Sequence, residues 1–310
     1  MTQQVGPSGY HTVGNCAVQT CGWTKNALRG EGTCYKHRFY GIASHRCIQM
    51  TPVVQCNERC VFCWRDHAGH TYELESVDWD APEAVVEASI ELQRELLAGF
   101  GGNDAVPDER LEEALDPRHV AISLDGEPTL YPYLPELIEA YHDRGFTTFL
   151  VSNGTRPDVI QSVEPTQLYL SVDAPDRATY EAVVRPLEDG AWEALQESLG
   201  ILAEHESRTT IRTTLVDGKN TADPTAYAAL YDDVRPDYIE LKGYMHVGES
   251  RGRLHRSAMP DHEDVVRFAR AVAAELSGYE LQGEAPPSNV ALLAPDRSTI
   301  IPELRDDGPL

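Results

Sequence analysis

Cys56-Asn57-Glu58-Arg59-Cys60-Val61-Phe62-Cys63 sets three cysteines at a C-x3-C-x2-C spacing, directly after an apolar stretch. Three thiolates this close can hold three irons of a [4Fe–4S] cube and leave the fourth iron open. An open iron is what a reaction needs when a small molecule must bind the cluster and take an electron from it. The plain alternative is a structural zinc, since Cys60 and Cys63 form a C-x2-C pair. Zinc usually takes a second such pair, and none follows Cys63: all seven cysteines lie within the first 63 residues.

Outward from this run the chain alternates strand-like and helix-like segments. Strands are expected at Cys47–Gln55, His119–Leu124, Phe146–Ser152, Gln167–Val172, Thr209–Val216 and Asp237–Leu241. Helices are expected near 82–99, 133–144, 176–205, 224–232 and 261–276, the first entered through Asp80 as N-cap with Pro82 in the first turn. The acidic, Gly-rich stretch 100–115 reads as a surface excursion. Six βα units imply parallel strands with right-handed crossovers, an α/β fold forming an incomplete (β/α)6 barrel. Its reactive end is expected at the C-terminal ends of the strands. The expected organisation is an N-terminal cysteine-bearing extension (1–46), the partial barrel (47–280) and a C-terminal segment (281–310).

Polar residues recur at those strand ends. Gly126 and Glu127 follow the second strand, where glycine would let the backbone approach a ligand and the carboxylate would accept from an ammonium. Asn153 ends the third strand, and Ser171 and Asp173 the fourth; alone, such residues are more often helix caps or Asx turns. Three polar loops at successive strand ends, beside a three-cysteine loop, point to one site.

Acidic residues outnumber basic ones, 50 to 26, for a net charge of −24, and only four residues are lysine: Lys25, Lys36, Lys219 and Lys242. An evenly acidic, lysine-poor chain suits molar salt, where charge is screened and aids solubility. With the Debye length near ~3 Å there, net charge loses its veto over a nucleic-acid partner. No run of 18 apolar residues occurs, and the start, Met1 to Gly9, is polar. The expectation is a cytoplasmic protein with no membrane or DNA partner.

The cysteine run, with aromatic Phe62 before its third cysteine, resembles the signature of the radical S-adenosylmethionine (SAM) superfamily. A denser resemblance joins Cys21, Cys34 and Cys47, thirteen residues apart, with Cys34-Tyr35-Lys36-His37-Arg38, Gly126-Glu127-Pro128-Thr129, Arg212-Thr213-Thr214 and Glu240-Leu241-Lys242-Gly243. From Cys21 to Arg256 the chain resembles the wyosine-synthesising radical-SAM family. The resemblance implies an enzyme that forms 4-demethylwyosine at position 37 of tRNA-Phe from N1-methylguanosine and pyruvate. It implies SAM and two [4Fe–4S] clusters. The cluster on Cys56, Cys60 and Cys63 would reduce SAM to a 5′-deoxyadenosyl radical, with Gly126, Glu127, Asn153, Ser171 and Asp173 around SAM. The auxiliary cluster, on Cys21, Cys34 and Cys47, would lie by pyruvate, and Lys36 would form a Schiff base with it; Lys242 is the second choice of lysine. No reductase-like domain is legible, so an external electron donor is expected.

Two features sit apart from the pattern. Asp125 stands before Gly-Glu-Pro where a small neutral residue is usual, and Cys16 is a cysteine left over. For RNA, Lys242, Arg251, Arg253 and Arg256 are the expected contacts, with Trp64 and Tyr244 as stacking surfaces. Other readings are a radical-SAM enzyme acting on a peptide or small metabolite, and a zinc-stabilised RNA-binding protein.

Overall fold

The structure, a computed structural model, describes residues 4–5, 10–67, 72 and 74–295; most of the polar start and residues 296–310 of the C-terminal segment lie outside the described residues. Three short antiparallel strands come first, β1 (Gln4–Val5), β2 (His11–Val13) and β3 (Cys16–Val18), followed by helices α1 (Gly22–Leu28) and α2 (Tyr35–Tyr40). Then β4 (Cys47–Thr51), α3 (Pro82–Ala98), α4 (Asp108–Leu115), β5 (His119–Ile122), α5 (Leu134–His142) and β6 (Thr147–Ser152) begin the alternation. It continues through α6 (Pro157–Ser162), β7 (Gln167–Ser171), α7 (Arg177–Val183), α8 (Ala191–Leu202), β8 (Arg208–Leu215), α9 (Pro224–Val234) and β9 (Tyr238–Gly243). Helix α10 (His262–Glu275) and strands β10 (Glu280–Ala285) and β11 (Val290–Ala294) close the described chain.

Strands β4 to β9 pair parallel in sequence order, giving the six-stranded open barrel expected from the alternation. Antiparallel strands extend the same sheet at both edges, β3 beside β4 and β11 beside β9. Apolar residues on the outer strand faces meet the helices in one large core: Val86 and Ile90 of α3, Leu137 of α5, Leu195 of α8 and Val265 of α10 all reach it. Inside the barrel base a second cluster gathers Phe39, Tyr40, Phe149, Tyr169, Tyr238 and Leu292. Each such buried ring contributes roughly 1.5–3 kcal/mol, so α2 is held as a plug in the base.

Three local expectations need correction. Asp80 is not the cap of α3; Ala81 takes that position with no side-chain cap. The Asp80 carboxylate instead accepts from the Asn15 N–H at 2.6 Å, tying α3 to the β2–β3 turn. The stretch 100–115 is not wholly an excursion, because Ala114 of α4 is buried with Leu28 and Leu97, and Glu113 bonds His45 at 2.8 Å. The single helix expected over 176–205 is two, α7 and α8, parted by residues that serve the cysteine loop. No helix among the described residues is long and apolar enough to cross a membrane.

Candidate active site

After β4 the chain turns as Thr51 Oγ1 donates to the Val53 carbonyl at 2.7 Å, and the cysteine run follows over the C-terminal mouth. Backbone bonds pin this run to the α7–α8 connection. The Arg59 N–H donates to Val184 and Arg185, that of Val61 to Val183, and that of Leu187 to Asn57. Cys56, Cys60 and Cys63 are free, half-buried thiols lining one cleft with Gly126, Asp125 and Arg65. Burial first, and then neighbouring acids, pushes the Cys56 and Cys60 thiols well above their ordinary range. Glu58, between them, is pushed up to about 8, chiefly by burial and despite a bond from the Tyr180 hydroxyl at 2.7 Å.

These thiols suit a cube. No fourth cysteine reaches them, because Cys21, Cys34 and Cys47 lie elsewhere and Cys16 is sealed in the main core. Three protein thiolates therefore leave one iron of four without a protein ligand.

Gly126 adopts φ +67°, and a Cβ there would overlap the Val53 carbonyl oxygen and lie 2.6 Å from that of Gln55. The close approach is thus to the chain's own cysteine-bearing segment, and the Glu127 N–H completes it by donating to Gln55 O at 2.8 Å. Buried Glu127 Oε1 accepts from Thr129 N–H and hydroxyl and from the Ser152 hydroxyl, and Oε2 accepts from Asn153 N–H. Asn153 in turn donates to Asn57 Oδ1 at 2.8 Å. Asn57 then bonds Thr155 and Glu188, and Glu188 pairs with Arg156 at 2.8 Å. This chain of bonds locks the cysteine loop to two strand ends. Sequence reasoning missed Asn57, Arg156 and Glu188; the only available signal was Asn57's position inside the cysteine run. Asp173 is buried, accepts from Thr214 N–H at 2.6 Å, and is pushed by burial to about 6. Half-buried Ser171 ends β7 opposite Arg212. Asp125 is neutralised locally: Tyr10 donates to it at 3.0 Å and the buried Arg65 guanidinium lies 3.7 Å away.

The other cysteine trio lies at the opposite end of β4. Cys21 and Cys34 are the N-caps of α1 and α2, and Cys47 is the first residue of β4. Ser44 Oγ donates to Cys34 Sγ at 3.4 Å. Burial raises the pKa of the Cys21 and Cys47 thiols, with the neighbouring Cys34 thiol adding to both, and pushes Cys47 up to about 12. Lys36, from the first turn of α2, enters the barrel base beside them. Its amine sits 4.7 Å from the Phe149 ring centre and 4.5 Å from that of Tyr169. Burial lowers its pKa, against the opposing pull of Glu240. Lys242 points inward too, but its amine donates to the Ser288 carbonyl at 2.8 Å, and burial brings it down to about 8.

The expected RNA contacts fare unevenly. Arg251 and Arg256 are exposed near the mouth. Arg253 instead donates to the carbonyls of Val61, Cys63 and Arg65, clamping the cysteine loop. Trp64 is exposed (39%), whereas Tyr244 is buried, with its hydroxyl donating to Ser250, and offers no stacking face.

An open parallel barrel with three loop cysteines over its mouth defines a radical-SAM enzyme, and the family model "Radical SAM superfamily" matches residues 50–230. A second model, "Wyosine base formation", matches residues 233–295. The chain belongs to the tRNA 4-demethylwyosine synthase family, whose members act in wyosine synthesis in tRNA; SAM and one [4Fe–4S] cluster come with the superfamily. The synthase of Pyrococcus abyssi is 45% identical over 294 residues, covering 93% of this chain and 86% of that one. The Methanocaldococcus jannaschii synthase is 43% identical, covering 95% and 96%. A solved structure described as TYW1 with a lysine-pyruvate adduct bound superposes with a TM-score of 0.85 at 42% identity, over 93% of each chain.

Proposed function

We propose that the chain forms 4-demethylwyosine on N1-methylguanosine at position 37 of tRNA-Phe, holding pyruvate as an imine on Lys36. The observation that carries this reading is the seat of Lys36: an amine inside the barrel, against two aromatic faces, beside three thiols, with its charge disfavoured by burial. A neutral lysine amine attacks the pyruvate ketone, water leaves, and the resulting imine is a better radical acceptor than the ketone. The adduct named for the solved relative supports the same chemistry. Lys242 is less suited, since its amine is already engaged by Ser288.

Cys21, Cys34 and Cys47 would hold the auxiliary [4Fe–4S] cluster near that imine. Cys56, Cys60 and Cys63 would hold the cluster at which SAM would supply the radical that takes hydrogen from the N1-methyl group. Around it, Glu127 keeps one carboxylate oxygen with a single donor, and Asp173 and Ser171 line the inner strand ends. A guanosine in an anticodon loop can be splayed into the mouth at small cost. Exposed Arg251, Arg256 and Trp64 would make phosphate and base contacts at that rim, and electrons would come from an external donor. The acid-rich, lysine-poor composition supports work in concentrated salt within a cytoplasm.

Reductive trapping with labelled pyruvate, on the anaerobically reconstituted chain, tests the assignment. Label should appear on the Lys36 peptide and vanish in Lys36→Ala, while Lys242→Ala keeps it. Label on Lys242, or none in the wild type, overturns the assignment.

A further inference from the structure

Ser44 opens the short 3-10 helix (Ser44–Arg46) that leads into β4. Its side chain is buried and turns back onto Cys34. Ser44 Oγ accepts from the Cys34 N–H at 3.1 Å, which leaves its one hydroxyl proton to be given elsewhere. Cys34 Sγ, 3.4 Å away, receives it, and the hydroxyl has no other acceptor among the described residues. The turn is anchored on both sides. Thr24 of α1 donates to the Ser44 carbonyl at 3.1 Å, and the Ala43 N–H donates to His119 Nε2 of β5 at 3.1 Å. The aim of the hydroxyl is therefore set by the fold. Cys34 differs here from its two neighbours: Cys21 is met by the backbone N–H groups of Trp23 and Thr24, and Cys47 by that of Ala121. Three half-buried free thiols, each already facing a donor, suit the thiolates of a cube. The Cys34 Sγ stands for such a thiolate.

We infer that Ser44 tunes the auxiliary cluster: its hydroxyl donates to the Cys34 thiolate and makes the cube easier to reduce. The inference rests on the auxiliary cluster proposed above. Hydrogen bonds to cluster sulfurs are one of the levers that set a cluster's potential. An electron added to the cube puts part of its charge on the sulfurs. A donor aimed at one of them then binds more strongly, which favours the reduced state. Ser44 is the side-chain member of this donor set, so it is the one that substitution can remove without disturbing the backbone. It acts through Cys34 and is a positioning residue for the cluster, not a ligand.

The test reads the midpoint potential of the auxiliary cube by redox titration followed by EPR, on a full-length Cys56/Cys60/Cys63→Ala parent in which no second cube contributes. Adding Ser44→Ala should leave about four irons per chain. At the parent's midpoint, its ratio of reduced to oxidised cube should fall about threefold to tenfold, tenfold being about 59 mV for one electron. Ser44→Thr, which keeps a hydroxyl, should restore the parent value. An unchanged midpoint in Ser44→Ala, with its iron retained, overturns the role of Ser44 and leaves the auxiliary cluster standing. A parent that holds no iron overturns the auxiliary cluster and this inference with it. Should Ser44→Ala shed its cube, serine deuterated at Cβ decides. Pulsed EPR of the reduced parent should show a deuterium coupling that Ser44→Thr abolishes, and its absence overturns the role.

Discussion

The Lys36 amine lies 4.5 Å from the centre of the Tyr169 ring, in a barrel base that disfavours its charge. Pyruvate trapping should therefore rise with pH and level off below the ordinary lysine value of about 10.4. Stability carries the same sign. Between the lowered folded pKa and the ordinary one, the unfolded chain binds more protons at this site, so stability rises with pH. Lys36→Met should flatten that rise in denaturant titrations at successive pH values; an unaltered slope would contradict the burial argument.

Two cysteine trios at opposite ends of β4 predict two separable iron inventories. The reconstituted wild type should carry about eight irons, and a Cys21/Cys34/Cys47→Ala variant about four, if each trio holds a cube. Four in both would remove the auxiliary cluster from the scheme.

Gly126→Ala should be severe, because the new Cβ meets the carbonyls of Val53 and Gln55 at a left-handed φ. We expect a loss of about 3 kcal/mol or more in chemical denaturation, together with weakened iron retention. A loss under about 1 kcal/mol would mean that the two loops part easily.

Arg253 binds three carbonyls of the cysteine loop from the region matched by the wyosine family model. Arg253→Ala should speed iron loss to a chelator several-fold, with Arg253→Lys in between. Weaker tRNA binding with iron retention intact would return Arg253 to the RNA surface.

Affinity for tRNA should depend only weakly on salt, since the chain carries −24 and few exposed cations at the mouth. A salt slope matching about six or more phosphate contacts would refute this.

The parallel barrel was legible because each of its strands is a short apolar run bounded by turn residues and followed by a helical pattern. β2 and β3, at three residues each, are too short to show a period; β3 is placed by pairing with β4, and β2 by pairing with β3. The break between α7 and α8 escaped notice for a related reason: residues 184–190 leave the helix to bond a loop more than a hundred positions away. The grouping of the cysteines into two trios was readable, as it is written in their spacing. The roles of Asn57 and Arg253 were not, since each depends on what the folded barrel brings opposite it. Tyr244 misled because an aromatic after a strand reads the same whether it faces solvent or Ser250.

Strand β4 is only five residues long, yet one cysteine trio ends at its first residue and the other follows its last. It is a ruler as much as a strand. Removing one residue would turn every later side chain to the opposite face, and removing two would shorten the span by about 6.6 Å. Length variation in descendants of this chain should therefore collect in stretches such as 99–107, while the count from Cys47 to Cys56 stays constant. A designer wishing to change the gap between the two cysteine-bearing ends would have to rebuild the whole barrel around a longer strand.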